Sequence, residues 1–391
     1  MSRRLYAGAL APILLAASVE AAETIRVAMF QDAQQVVVSG DRSLAIRLQN
    51  GDRRTVASPF VLTPVPGGMK SNGEYLPSEL FIEAQGLSVS ATASLAQAGN
   101  GNPDPGATVV VSGALRILTR GPGLWVVNEL DLEEYVKGVV PAEMNAAWHA
   151  EALQAQAVVA RTYALYQKMM NPTREFDVLA GTQDQVYRGR RGVDARVEQA
   201  VERTRGLVLT YRSAPILAAF SSTAAGPTED AMNVWNKDLP YLKGVDCPFD
   251  ANSPYYSWRA VVKLLELERT LRQQGYAVGP IAGVAPLTHS RAGRVGRLRI
   301  LHAGGELILR GEDLRRVIGY TVIPSTQFDI EHVGGDVVFW GRGAGHAVGL
   351  CQWGAKELAD LGYPFSTILH YYFPGTDLTN IQLARLSPPA P

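Results

Sequence analysis

The chain has 391 residues, 47% hydrophobic and 19% charged, with 37 basic and 37 acidic side chains. That is an ordinary globular composition, with enough chain for a large core or two domains. The balanced charge excludes the basic footprint of a nucleic-acid binder, so no nucleic-acid partner is expected.

Arg3 and Arg4 precede an apolar run over residues 5–17, and Val19, Glu20 and Ala21 offer small residues at a cleavage position. Residues 1–21 therefore read as a secretory signal peptide, which places the protein outside the cytoplasm, in the periplasm or at the cell wall. The run is too short to span a bilayer. Retained instead of cleaved, it would act as a membrane tether, the only membrane contact expected.

From residue 23 to about 125 the pattern is that of strands. Ile25, Val27 and Met29 alternate, as do Leu44, Ile46 and Leu48, and later Leu87, Val89 and Ala91. Asn50-Gly51 and Asn72-Gly73 are hairpin signals, and residues 98–106 read as a flexible connection. Residues 22–124 are thus expected to form a β-rich N-terminal domain that scaffolds rather than reacts.

The stretch 130–166 carries the first chemistry. Asp131 reads as a helix N-cap with Glu134 reaching back three residues later. Leu132, Tyr135, Val136 and Val139 follow at helical spacing, Gly138 is expected to stop or kink the helix, and Pro141 to open a new turn. Glu143 would then sit near a helix start, followed after Trp148 by a long alanine-rich helix that ends at Asn171-Pro172, with Leu153, Ala157, Ala160 and Ala164 on one stripe. In that position the helix dipole and Arg161, near the middle of the long helix, would depress the Glu143 pKa, the opposite of what an acid catalyst needs. Arg161 is therefore expected to serve a substrate rather than the glutamate.

A loop with Asp184, Gln185 and Tyr187 follows, then a helix over 193–205 and a strand over 206–211. The segment 221–229 presents Ser221, Ser222, Thr223 and Thr228 beside bare backbone, which reads either as an ordinary hydroxyl-rich turn or as a surface for hydrogen bonding to sugar hydroxyl and N-acetyl groups. Residues 258–340 read as another mixed module, and a strand over 336–339 delivers a glycine-rich loop. Its spacing is not GxGxxG and no Lys-Ser or Lys-Thr pair follows, so a nucleotide cradle is not expected. The glycines instead let His346, Gln352 and Trp353 approach a cleft, ahead of a helix over 352–361. Cys247 and Cys351 suit an oxidising compartment, where they form either one bridge or two separate buried thiols.

Seven motifs now stand in order: LEEYVKGVVPAEM from Leu132, EALQAQAVVARTY from Glu151, QVYRG from Gln185, TRGLVLTY from Thr204, FSSTAAGPTED from Phe220, YLKGV from Tyr241, and GRGAGHAVGLCQWGAKELADLGYPFSTILHYYFPGT from Gly341. Over roughly residues 125–378 this set resembles the signature of the sporulation stage II protein D (SpoIID) family, which includes amidase-enhancer proteins. The resemblance implies an α+β protein in which the mostly β N-terminal portion precedes a mixed helical and β catalytic region over 125–378. By their own pattern, residues 259–335 read as an inserted β-rich subdomain within it, and 379–391, ending in SPPAP, as a disordered tail.

The implied activity is that of a lytic transglycosylase. Peptidoglycan glycan strands, preferentially stripped of stem peptides, would be cut to 1,6-anhydro-muramyl ends, with Glu143 as the single general acid and base. Arg161, Tyr241, Lys243 and Tyr372 match cleft positions, and Gln185, Tyr187, Ser222, Thr223, Thr228, His346 and Gln352 are expected to contact substrate. Some members carry a His and Cys zinc site near the serine-rich segment. Here Ser221 stands where that histidine would be, with no second cysteine nearby in sequence, so neither metal nor cofactor is expected. Ala225 and Ala347 stand where glycines are common, Ala344 where an aromatic is, and Phe373 where a tyrosine is. The competing readings are a non-catalytic murein-binding activator of a cell-wall amidase, and a two-carboxylate muramidase pairing Glu143 with Asp184.

Overall fold

The computed structural model describes residues 23–92, 106–384 and 386–389. The expected signal segment and nearly all of the 98–106 connection lie outside the described residues. No helix among the described residues is long and apolar enough to cross a membrane.

The alternating N-terminal segments form two facing sheets. In the seven-stranded sheet, Val178–Leu179 lies at one edge, followed by Thr24–Ala33, Gly123–Asp131, Ala114–Arg120, Glu79–Glu83, Ser43–Leu48 and Arg53–Ala57. All pairs are antiparallel except the first, where Val27 and Ala28 run parallel to Val178 and Leu179. The six-stranded sheet contributes Val36, Val38, Leu62, Met69 and Val89 to the same core as Ile25, Leu44, Ile46 and Leu80. In Gln35–Ser39, Ser43–Leu48, Glu79–Glu83 and Ser88–Thr92 every second residue turns inward, which is how alternation in sequence becomes one buried face. At the Asn72-Gly73 turn both residues have positive φ, 47° and 90°, the geometry that suits Asn-Gly.

The boundary expected at 124/125 falls inside the strand Gly123–Asp131, which runs directly into helix α1, Leu132–Glu143. α1, α2 (Ala150–Met170) and α3 (Ala195–Arg203) share their apolar core with the sheets, so the β-rich portion and the helices are one packed unit. Asp131 caps α1 by accepting from the amides of Glu133 and Glu134. The reciprocal half of the expected capping box is absent, because the Glu134 carboxylate turns to Ser112, Lys137 and Arg190. α1 also passes through both Gly138 and Pro141 without a break. Gly138 is buried where a Cβ would come within 2.5 Å of the Gly189 carbonyl oxygen and the Tyr187 ring, so glycine is there for close approach rather than to end the helix. α2 is buried on every side from Ala152 to Tyr166 rather than along one stripe, since sheet and helices enclose it.

Helix α4 (Ala231–Trp235) follows the hydroxyl-rich segment. The 258–342 module then builds its own core from Leu267, Leu298, Ile300, Leu314, Ile323 and Phe339, using two three-stranded sheets with α5 (Leu264–Gln273) and α6 (Gly311–Ile318). Its first and last strands, Trp258–Lys263 and Asp336–Arg342, pair with each other, so the chain leaves and re-enters the main body at one place. On return, Phe220–Ser221 pairs in parallel with Leu350–Cys351, and α7 (Gln352–Asp360) and α8 (Phe365–Tyr372) pack onto α2. Among the described residues in and just before the expected tail, Asp377–Asn380 pairs antiparallel with Leu207–Tyr211, and the Ser387 amide donates to the Ser213 carbonyl.

Candidate active site

Glu143 is the last residue of α1, so it stands at the carbonyl end of that helix and not at a helix start. The unpaired carbonyls there disfavour a carboxylate. Burial disfavours it further and raises the Glu143 pKa from 4.5 to about 7. A hydrogen bond of 2.6 Å from the Val186 amide to Oε1 opposes the rise, as do the Gln352 side chain and the Arg188 charge, without cancelling it. The Gln352 amide is near enough to favour the anion but makes no well-formed hydrogen bond, since Nε2 is buried with no partner. The residue as a whole is half-buried.

The loop that supplies the Val186 amide is fixed from both sides. Asp184 accepts from the Tyr163 hydroxyl at 2.7 Å and from the Leu179 amide at 2.8 Å, using one oxygen for each. Gln185 is fully buried and accepts from the Tyr135 hydroxyl at 2.9 Å, and Tyr187 donates to Asn128 Oδ1 at 2.9 Å while its ring lies 5.3 Å from that of Tyr135. Gln185 and Tyr187 therefore hold the loop in place, and the Gln185 Nε2 is left buried with no partner. On the opposite wall Gln352 opens α7, and Trp353 beside it meets Trp148 edge to face at 5.1 Å. Trp148 also lines a pocket of about 360 Å³ with His149, Gln154, Arg196 and Arg203, a lining that includes neither Glu143 nor Gln352.

Arg161 is placed differently from expectation. It is fully buried and grips Glu133 with two bonds of 2.9 and 2.6 Å, with a third to the Leu207 carbonyl at 2.9 Å. Glu133 lies ten residues before Glu143 on α1, roughly 15 Å along the axis, so Arg161 neither depresses the Glu143 pKa nor reaches a cleft. Tyr241 is buried, accepts from the Leu217 amide and packs on Tyr211. Lys243 is exposed and paired with Asp238 and Asp230.

The hydroxyl segment is mostly used internally. Thr223 bonds to Ser253 at 2.6 Å and its backbone pairs with Ala344, while Thr228 exchanges hydrogen bonds with the Val245 backbone; Ser222 stays partly open. His346 accepts from the Val348 amide and meets Trp235 edge-on at 4.9 Å; burial, with Arg315 and Arg294 nearby, pushes its pKa down to about 3, so the ring is neutral.

Tyr372 is buried with its hydroxyl 3.2 Å from Cys247 Sγ. Cys247, Asp250 and Cys351 converge there, so the second cysteine that is distant in sequence is close in space. Both thiols are free. Of the expected set, the structure brings Gln352 to Glu143 and disperses Arg161, Tyr241, Lys243 and Tyr372 elsewhere. Sequence reasoning missed the Val186 amide, which has no side-chain signal, and Arg188, which the QVYRG motif displays.

The profile described as stage II sporulation protein matches residues 120–211, and a domain of unknown function, DUF8618, matches residues 230–349. An uncharacterized protein of Brachyspira hyodysenteriae is 35% identical over 269 residues, covering 68% of this chain and 72% of that protein. Stage II sporulation protein D of Bacillus subtilis is 34% identical over 271 residues, 65% of this chain and 76% of its own length. Amidase enhancer of Bacillus subtilis is 30% identical over 293 residues, 63% of this chain and 40% of that protein.

Proposed function

Because the chain belongs to the stage II sporulation protein D family, we propose that it is an exported lytic transglycosylase acting on peptidoglycan glycan strands, with Glu143 as its one acid and base. The observation that carries this reading is the Glu143 carboxyl itself, at the carbonyl end of α1, its pKa raised by burial to about 7. A carboxyl so poised is protonated in a useful fraction at neutral pH and still accepts the proton back.

In the reaction Glu143 protonates the glycosidic oxygen as the bond from the muramic C1 breaks. The resulting carboxylate takes the proton from the C6 hydroxyl of the same sugar, and that oxygen closes on C1. No water is consumed, because the attacking hydroxyl is already tethered to the reacting centre. The Val186 amide bonds Oε1, which leaves Oε2 to carry the proton. The Gln352 side chain beside Glu143 favours the carboxylate that forms after the first proton transfer. A two-carboxylate hydrolysis is less well supported, since both oxygens of Asp184 are engaged in clasping the 180–189 loop.

The test incubates the purified protein, beside Glu143→Gln, with peptide-free and intact sacculi and weighs the products. Transglycosylation gives anhydro-muramyl ends from the wild type alone, without the mass of an added water. Products heavier by one water refute the mechanism. A second reading, a murein-binding activator of an amidase, is favoured by the similarity to amidase enhancer. It predicts that both proteins bind sacculi equally and neither cuts.

A further inference from the structure

Three donor side chains converge away from Glu143 and have no part in the chemistry above. Cys247, Asp250 and Cys351 present ligand-type atoms that all lie within 4.8 Å of one another, and all three are buried, Asp250 completely. Two come from one Cys-x-x-Asp stretch and the third is the N-cap of α7.

Hydrogen bonds satisfy only part of this set. Cys351 donates to Asp250 Oδ2 at 3.2 Å and receives the Ala224 and Gly354 amides, each at 3.4 Å. The Ala225 amide also donates to Asp250 Oδ2, at 2.7 Å, and Cys247 shares a proton with Tyr372. Asp250 Oδ1 is buried with no partner at all. A buried carboxylate oxygen left so is costly, and a cation removes the cost. Oxidation of the two thiols would not: a disulfide would take away the proton that Cys351 donates to Asp250 and leave the carboxylate poorer. Arg294, buried and bonded to the Ala224 carbonyl, supplies nearby positive charge against surplus anionic ligands.

We propose that Cys247, Asp250 and Cys351 bind a thiophilic divalent cation of the zinc class, with the Tyr372 hydroxyl as the adjoining oxygen. Two thiolates and a carboxylate form a donor set that suits zinc. The backbone amides on Cys351 are the outer contacts that orient such a ligand. The cation ties the hydroxyl segment, through Ala224 and Ala225, to the start of α7, the turn that carries Gln352 toward Glu143. Its role is therefore to brace one wall of the cleft without touching substrate.

The test uses the full chain equilibrated with zinc alone in low-micromolar free concentration, then desalted, with metal content, thiol count and intact mass measured together. One zinc per chain is expected, with two thiols titrating only after unfolding in chelator. Cobalt(II) in place of zinc should give thiolate-to-metal charge-transfer absorption in the near ultraviolet. Cys247→Ser or Cys351→Ser should weaken binding at least tenfold and abolish that absorption. Should those variants fail to fold, Asp250→Cys serves instead: a third thiolate should retain the metal and strengthen the absorption. Two free thiols with no metal, a mass lower by two hydrogens with no metal, or Asp250→Cys without a change in the cobalt spectrum each overturn the proposal.

Discussion

At the scale of single residues, the raised Glu143 pKa fixes the sign of two pH effects. Cleavage should fall as pH rises through about 7, because the proton-loaded carboxyl is lost there, and a pH profile on peptide-free strands checks it. Unfolded, the same carboxyl titrates near 4.5, so between these values the folded chain holds the extra proton and stability declines with rising pH. Glu143→Gln should remove that slope, and at pH 8 exceed the parent by at most about 3 kcal/mol in urea denaturation, while losing cleavage. Arg161 makes the contrasting case. Arg161→Met leaves Glu133 buried without its partner and should cost about 3–5 kcal/mol, much of it recovered by adding Glu133→Gln. A role in ligand binding would instead change affinity at constant stability. Ala225 and Ala347 hold φ of 55° and 59°, a region that alanine occupies at a cost. Ala225→Gly and Ala347→Gly should each raise stability by about 0.5–1 kcal/mol, read as a higher urea midpoint.

At the scale of elements, α1 explains both what the sequence reveals and what it conceals. The alternation of Leu44, Ile46 and Leu48, the Asp131 cap and the end of α2 at Asn171 are legible because each depends on neighbours close in sequence. Gly138 and Pro141 mislead for a matching reason. As local signals they mark a break, but Gly138 answers to Tyr187 and Gly189, about fifty residues away, and Pro141 is tolerated in the last turn. That single misreading puts Glu143 at the wrong end of a dipole and inverts its expected pKa shift. Arg161 was misplaced because nothing local points to Glu133 rather than to Glu143 as its partner. Gly138→Ala should force a Cβ against the Gly189 carbonyl and the Tyr187 ring and cost roughly 1–3 kcal/mol. It should also slow cleavage with the fold retained, since the same loop carries the Val186 amide; circular dichroism and a rate assay separate the two effects.

At the scale of the whole molecule, the β-rich N-terminal portion is not a detachable scaffold. Thr24–Ala33 lies between Gly123–Asp131 and Val178–Leu179, in the interior of the sheet on which the helices rest. A chain starting at residue 112 should therefore lack protease resistance and fixed near-ultraviolet dichroism, whereas a free-standing catalytic domain would show both. No periodicity announces that strand order, because pairing partners are distant. The same holds for the parallel pairing of Phe220–Ser221 with Leu350–Cys351, which seats Gln352. A ribosome releases Glu143 long before the second of those strands exists, and contacts spanning so much sequence form slowly. Until the last quarter of the polypeptide docks, the glutamate lacks its facing amide wall. A chain cut before Gln352 should therefore lack the proposed cutting activity, which a cleavage assay on peptide-free strands checks.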